Sequence, residues 1–232
     1  MPPFNNFWAQ VVKVSDPPQI ITTGIEVTDE FPNNAYSVGR SDFWTYAQKL
    51  FGLASPLPAN VGLTGKGLAG TMDLDGDHFK VDGIPLTEFQ DTAPTTPYTA
   101  AISPNTLNGC YQCHPGPNTQ CLRDTMFKEG LTCIDCHGTL AKVSQNPNPW
   151  LNEPRCDTCH TTILQDQPLY RQSTGHKGIR CAACHDSPHA IAPTIQGNDA
   201  IKFLGWQGEN GPLSKCTVCH LTQPTTSMPH GK

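Results

Sequence analysis

The sequence has no run of about 18 apolar residues, so we expect no membrane-spanning helix. It has no basic excess either: the formal charge is -5 and the pI is near 5.9. Nucleic acid and anionic lipid are therefore not expected partners. The first residues also lack the basic and apolar segments of a secretory signal peptide.

A large apolar core is missing as well. Hydrophobic residues make up 37% of the chain and the mean hydropathy is -0.39, while 22 prolines and 20 glycines interrupt regular elements. A chain of 232 residues with this composition needs another source of buried apolar surface.

What the sequence does have is cysteine, and ten of its eleven cysteines form five Cys-x-x-Cys-His motifs. Two cysteines at this spacing can both reach the vinyl carbons of one porphyrin, and the adjoining histidine lies under the iron as its proximal ligand. The motif cysteines are Cys110, Cys113, Cys133, Cys136, Cys156, Cys159, Cys181, Cys184, Cys216 and Cys219. The proximal histidines are His114, His137, His160, His185 and His220. The sequence thus predicts five covalently bound haem c groups, which also supply the missing apolar surface.

Two other uses of paired cysteines fit less well. A structural zinc site combines two such pairs and needs no histidine after every second cysteine. A disulfide scaffold has no use for the repeated histidine.

The motif-free residues 1–100 are predicted to form a small β-rich unit with one helix. Strands are expected over Phe7–Val14 and Ile20–Val27 around a turn at Asp16–Pro18, and a helix from Ser41 to just before Gly52. The Asp73–Asp77 stretch resembles a calcium loop but has Ile84 where a bidentate glutamate is needed, so a solvated turn is preferred.

Residues 101–232 are predicted to form the pentahaem domain, after a linker over 91–108. The motifs begin 23, 23, 25 and 35 residues apart, so consecutive haems should lie close together. The expected fold is mostly irregular, with short helices around stacked haems.

Five six-coordinate irons need ten axial ligands, and the chain has nine histidines. The four outside the motifs, His78, His176, His189 and His230, are the predicted distal ligands. A methionine is the predicted tenth ligand; Met126, on an expected helix Thr119–Glu129, is preferred to Met72 and Met228, and its use as a core residue stays open. Cys121 is expected to be a buried inert thiol, with a thiolate ligand or an intermolecular disulfide as alternatives.

Several segments resemble the surface multihaem c-type cytochromes of metal-reducing bacteria. They are Cys110–Arg123, Pro149–Arg155, Gly175–Gly178, Cys184–Ile191, Cys216–His220, Val38–Trp44, Asn60–Gly65 and Gly83–Leu86. The resemblance implies extracellular electron transfer, in some relatives through haem-chain filaments.

The sequence therefore predicts an electron-transfer protein without catalytic activity. We expect it to be exported after loss of a leader, to serve redox partner proteins or extracellular electron acceptors, and to self-associate head-to-tail. The alternative is a haem oxidoreductase with one five-coordinate iron that acts on a small oxyanion or peroxide.

Overall fold

The structure is a computed structural model that describes residues 5–31, 48, 52–85, 121–139, 142, 154–163 and 165–225. The chain divides into two compact units. Residues 1–13 and 20–98 form the first, and residues 14–19 and 99–232 form the second. Apart from Gln48, the predicted helix after Ser41 lies outside the described residues, as do the linker 91–108 and the first motif.

The described strands all lie in the first ninety residues. They are β1 (Asn5–Ala9), β2 (Val12–Lys13), β3 (Gln19–Ile20), β4 (Thr28–Glu30), β5 (Ala69–Thr71), β6 (Asp73–Asp75) and β7 (His78–Ile84). β1, β7 and β6 form an antiparallel sheet in that order, while β2 pairs with β3 and β4 with β5. The prediction of a β-rich N-terminal region with short helices after it is confirmed.

The strands predicted from sequence are longer than the strands in the structure. Phe7–Val14 is divided between β1 and β2, and of Ile20–Val27 only Ile20 is in a strand. The turn at Asp16–Pro18 is present. Strands end early here because only part of each β-branched run finds a ladder partner, and β propensity depends on that pairing.

β7 carries the core of the first unit. Phe79, Val81 and Ile84 are buried with Met72, and partly buried side chains such as Phe31 pack against them. Leu63 donates its N–H to the Gly83 carbonyl at 3.0 Å. A β-carbon at Gly62 would overlap that carbonyl oxygen, so glycine is required there.

The acidic stretch after Met72 is the hairpin between β6 and β7. Asp75 is opposite His78, so the turn itself is Gly76–Asp77. Lys66 pairs with Asp73 at 2.5 Å, and Lys80 pairs with Asp75 at 2.6 Å. Asp73, Asp75 and Gly76 are exposed, as the predicted solvated turn requires. Among the described residues, no three acidic, His or Cys side chains form a metal-binding group.

The second unit is built from very short helices. They are α1 (Thr125–Lys128), α2 (Cys133–His137), α3 (Cys181–His185) and α4 (Ile201–Gln207), with 3₁₀ turns at Cys156–Thr158, Tyr170–Gln172, His176–Gly178, Gly197–Ala200 and Cys216–Val218. The predicted helix Thr119–Glu129 is shorter than expected. It begins at Thr125 because Asp124 caps it, accepting the Phe127 N–H at 2.9 Å. In the described ranges no helix has the length and apolarity to cross a membrane.

Candidate haem-binding site

Each described Cys-x-x-Cys-His motif forms a single helical turn. The second and fourth are the α-helices α2 and α3, and the third and fifth begin with 3₁₀ turns. In the latter two the histidine N–H bonds to the carbonyl of the first cysteine, at 2.9 Å in both His160 and His220. One turn places residues three apart on the same side, so both cysteines can face one porphyrin edge.

The two α-helical motifs end in the same way. Gly138 follows the second motif with φ 74°, and Asp186 follows the fourth with φ 75°. Each donates its N–H back to the turn, Gly138 to Ile134 at 2.8 Å and Asp186 to Ala182 at 2.9 Å. This conformation stops the helix directly after the histidine, so the chain leaves the ligand without extending over it.

Two buried glutamines hold the chain beside the other motifs. The amide oxygen of Gln165 accepts the Cys156 N–H at 2.8 Å, and its nitrogen donates to two carbonyls, those of Gln167 and Pro168. Gln207 accepts from Ser214 at 2.9 Å and donates to three carbonyls between Glu209 and Pro212. Sequence reasoning missed both, because a glutamine carries no signal of burial until the loop around it is folded.

His137 of the second motif lies beside His189. Their ring centroids are 5.9 Å apart with an interplanar angle of 56°. Two imidazoles on opposite sides of one iron have centroids about 6 Å apart, since a metal–nitrogen bond is about 2 Å and the nitrogen lies about 1.1 Å from its ring centre. The observed separation matches this value, and it also falls in the range of ordinary ring packing.

His220 of the fifth motif and His176 form a second pair with the same spacing. Their centroids are 6.0 Å apart and the rings are inclined at 64°. His176 follows Gly175 in a 3₁₀ turn whose next residue, Lys177, has φ 54°. Thus two of the four histidines outside the motifs each face one proximal histidine.

In both pairs the Nδ1 atom of one ring has a partner of its own. His220 Nδ1 is 3.3 Å from Asp16 Oδ1, and His189 Nδ1 is 3.7 Å from the sulfur of Cys121. A metal-binding imidazole usually holds its second nitrogen in this way, which leaves Nε2 for the metal. Cys121 is half-buried and lies beside this histidine pair. The sequence predicted a buried inert thiol, with a thiolate ligand or an intermolecular disulfide as alternatives.

The other candidate ligands are distributed over both units of the chain. His78 is the first residue of β7; it is buried, and its Nδ1 lies 3.0 Å from Asp77. Met126 is half-buried on α1, and Met72 lies in the core of the first unit. His114, Met228 and His230 are outside the described residues.

Consecutive motifs are close in space. Burial raises the pKa of the free thiols of Cys136, Cys181 and Cys184, and a thiol of a neighbouring motif raises it further, from Cys159, Cys156 and Cys219 respectively. An electrostatic effect between two groups weakens with their distance, so these pairs of thiols are neighbours. The second to fifth motifs therefore follow one another in space as they do in sequence.

The donor set fits haem c. Each described motif offers two thiols and one imidazole on a single turn, and two motifs have a second imidazole at iron-spanning distance. The thiols would carry the thioether bonds and the imidazoles would bind iron; the haem itself supplies one-electron redox chemistry.

Comparison with known proteins supports this chemistry. Residues 139–186, which contain the third and fourth motifs, match the family model described as cytochrome c554 and c-prime. The chain is also similar to the dissimilatory sulfite reductase MccA of Wolinella succinogenes, with 24% identity over 149 residues, 46% of this chain and 21% of the relative. The chain therefore spans about a fifth of that relative's length. No solved structure matches the chain.

With its motifs, these matches support a multihaem c-type cytochrome whose cofactor is haem c. They also correct one prediction. We expected a protein without enzymatic activity, but the curated relative is itself an enzyme, a sulfite reductase.

Proposed function

We propose that this multihaem c-type cytochrome transfers electrons through five covalently bound haems, at least two of which have two histidine ligands. The observation that carries the proposal is the spacing of the two histidine pairs, 5.9 Å for His137 with His189 and 6.0 Å for His220 with His176. Iron with both axial positions filled has no place for a substrate and exchanges electrons only. The second and fifth haems are therefore relay centres.

The proximity of consecutive motifs supports a relay. Cysteines of the second and third, third and fourth, and fourth and fifth motifs lie near one another. Haems attached at these thiols would be near neighbours, and electrons would move along the series in chain order.

Replacing each distal histidine tests the proposal. In His189→Ala and His176→Ala the iron of the second or fifth motif loses one ligand, so each variant should convert one haem from low-spin to high-spin. Electron paramagnetic resonance and visible spectra of the oxidised proteins measure that fraction. Gln172→Ala, an exposed change four residues before His176, is the control and should remain fully low-spin. Unchanged spectra in both histidine variants would contradict the proposed ligand pairs.

A second function, reduction of a small oxyanion at one further haem, is favoured by the similarity to a sulfite reductase. Nine histidines cannot fill ten axial positions, so one iron has a different second ligand or an open position. An open iron next to relay haems could reduce a bound oxyanion, with sulfite as the first substrate to test.

The test is re-oxidation of the reduced protein by sulfite. If one iron is open, sulfite should oxidise the haems with saturable kinetics, cyanide should inhibit the reaction, and a high-spin fraction should be present before addition. Nitrite and peroxide serve as comparison substrates. The reductase function would be excluded if the protein is fully low-spin and its haems stay reduced with sulfite, nitrite and peroxide.

Export and assembly belong to the same proposal. Haem c is attached outside the cytoplasmic membrane, so we propose an exported protein that serves redox partner proteins or extracellular acceptors. We further propose that His78 supplies a distal ligand to a neighbouring copy, giving a head-to-tail assembly. His78→Ala should then abolish large assemblies in light scattering and micrographs, with Asp73→Asn as a control on the same hairpin. A wild-type protein that stays monomeric at high concentration would rule out the assembly.

A further inference from the structure

The turn between β2 and β3 contacts the chain that follows the fifth motif. Residues 14–19 belong to the second compact unit, together with the motif. Within it, Ser15 donates its N–H to the Cys219 carbonyl at 3.3 Å. The side chain of the neighbouring Asp16 contacts His220, the proximal histidine of the fifth motif, and Thr222.

Both oxygens of the Asp16 carboxylate are engaged. Oδ2 accepts two hydrogen bonds from Thr222, from its N–H at 3.0 Å and from its hydroxyl at 2.7 Å. Oδ1 faces Nδ1 of His220 at 3.3 Å. The two bonds from Thr222 fix the plane of the carboxylate, so its other oxygen is held toward the imidazole.

The chemistry of this contact defines the state of the histidine. Thr222 donates both of its hydrogen bonds to one oxygen of the Asp16 side chain, and an aspartate is a carboxylate at neutral pH. An ionised carboxylate only accepts hydrogen bonds, so Nδ1 of His220 must carry the proton. The lone pair is then on Nε2, the nitrogen available to an iron between His220 and His176.

We propose that Asp16 is a positioning residue for the fifth haem, which orients His220 and lowers the reduction potential of its iron. This inference rests on the proposed function. An anionic acceptor on Nδ1 makes the imidazole a stronger donor, which stabilises ferric iron. The redox step is the gain of one electron by the iron, and the Nδ1 proton remains on His220 throughout.

Asp16→Asn tests the inference, because the amide keeps the shape of the side chain and loses its charge. At constant pH the ferric-to-ferrous ratio of one haem should fall about tenfold at a given potential, a rise of about 59 mV for a one-electron couple. Spectroelectrochemical titration measures the five steps. The shifted step should be the one that also changes in His176→Ala, and Asp16→Glu should restore most of the wild-type value.

Two further variants separate positioning from simple charge. Thr222→Val removes the hydroxyl bond and keeps the carboxylate, so the same step should rise by a smaller amount. Glu129→Gln removes an exposed negative charge at the end of α1 and should leave the reduction potential of the fifth haem unchanged. If Asp16→Asn matures poorly, Thr222→Val carries the test.

The outcomes distinguish this inference from the proposed function. Unchanged potentials in Asp16→Asn and Thr222→Val, or an equal shift in Glu129→Gln, would overturn the role of Asp16 even if the wild type has two low-spin bis-histidine haems. A wild type without such haems would overturn the proposed function first.

Discussion

At the residue scale, the two histidine pairs differ in the charge of the group that lies at Nδ1 of one ring. His220 faces the carboxylate of Asp16, while His189 faces the thiol of Cys121. A carboxylate raises ligand basicity more than a weakly polar thiol does. The fifth haem should therefore have a lower potential than the second, and electrons should collect on the second haem in a partly reduced protein.

Met126 is the residue whose role depends most on the ligand pairs. Met126 lies between the first two motifs in sequence, and His189 faces His137 of the second motif. The first haem is therefore the one to which Met126 is predicted to bind. Met126→Ala should convert one haem to high-spin and abolish the weak ferric methionine-to-iron absorption band. Lys128→Ala, an exposed change on the same helix α1, should do neither. A spectrum of Met126→Ala identical to the wild type would assign this side chain to packing.

At the element scale, helices of four to seven residues cannot be stable by themselves, because nucleation costs more than so few hydrogen bonds return. Side-chain hydrogen bonds to loops supply part of the difference. The amide of Gln207, at the end of α4, is within hydrogen-bond distance of five backbone groups, up to Lys215 just before the fifth motif.

Replacing Gln207 should therefore destabilise the second unit. In Gln207→Ala five part-buried backbone groups lose their partner, at a cost of about 3 kcal/mol in total, which should lower the midpoint of thermal unfolding by about 5–10 °C. Circular dichroism of the haem-loaded protein measures the change. Gln207 and Gln223 both line a cavity of about 260 Å³. Because Gln223 is exposed, Gln223→Ala should change the midpoint little. Similar midpoints in the two variants would show that Gln207 does not hold this loop.

A half-buried ion pair joins two segments around His189. The guanidinium of Arg123 donates from two nitrogens to Asp199, at 2.6 and 2.9 Å. The backbone N–H of Arg123 donates to the His189 carbonyl at 2.9 Å. Burial raises the pKa of Asp199, but hydrogen bonds from Arg123 and Thr194 outweigh it and hold the pKa below its ordinary value of 3.8.

That lowered pKa predicts a stability change with pH. Asp199 stabilises the fold fully above pH 3.8, and this contribution disappears as the pH falls through its lower folded pKa. Asp199→Asn should lose about 2 kcal/mol at pH 7, and its difference from the wild type should shrink on acidification. Urea unfolding at pH 7 and pH 3 measures both values, with Asp73→Asn as an exposed control. A difference independent of pH would contradict the ionised pair.

At the scale of the whole molecule, the haems stand in for the apolar core that the composition lacks. The intact mass should exceed that of the bare chain by five haems, and the ten motif cysteines should not react with thiol reagents even when the protein is denatured. Cys121 should be the one cysteine that reacts. Mass spectrometry before and after alkylation measures both, and four or fewer haems in fully matured protein would contradict the pentahaem prediction.

The sequence by itself determined the cofactor chemistry. Cys-x-x-Cys-His is a local pattern whose two thiols and imidazole lie on one helical turn, so its meaning does not depend on distant parts of the chain. The strands near the start and the short helices of the described residues were also predictable, because β-branched runs and frequent prolines act locally.

Only the tertiary structure decided which histidine faces which motif. His189 is 52 residues from His137, and His176 is 44 residues from His220, so their pairing depends on how loops between the motifs return. Asp16 is separated from His220 by 204 residues. No periodicity or spacing records such contacts, because the loops are held by side-chain hydrogen bonds that exist only after folding.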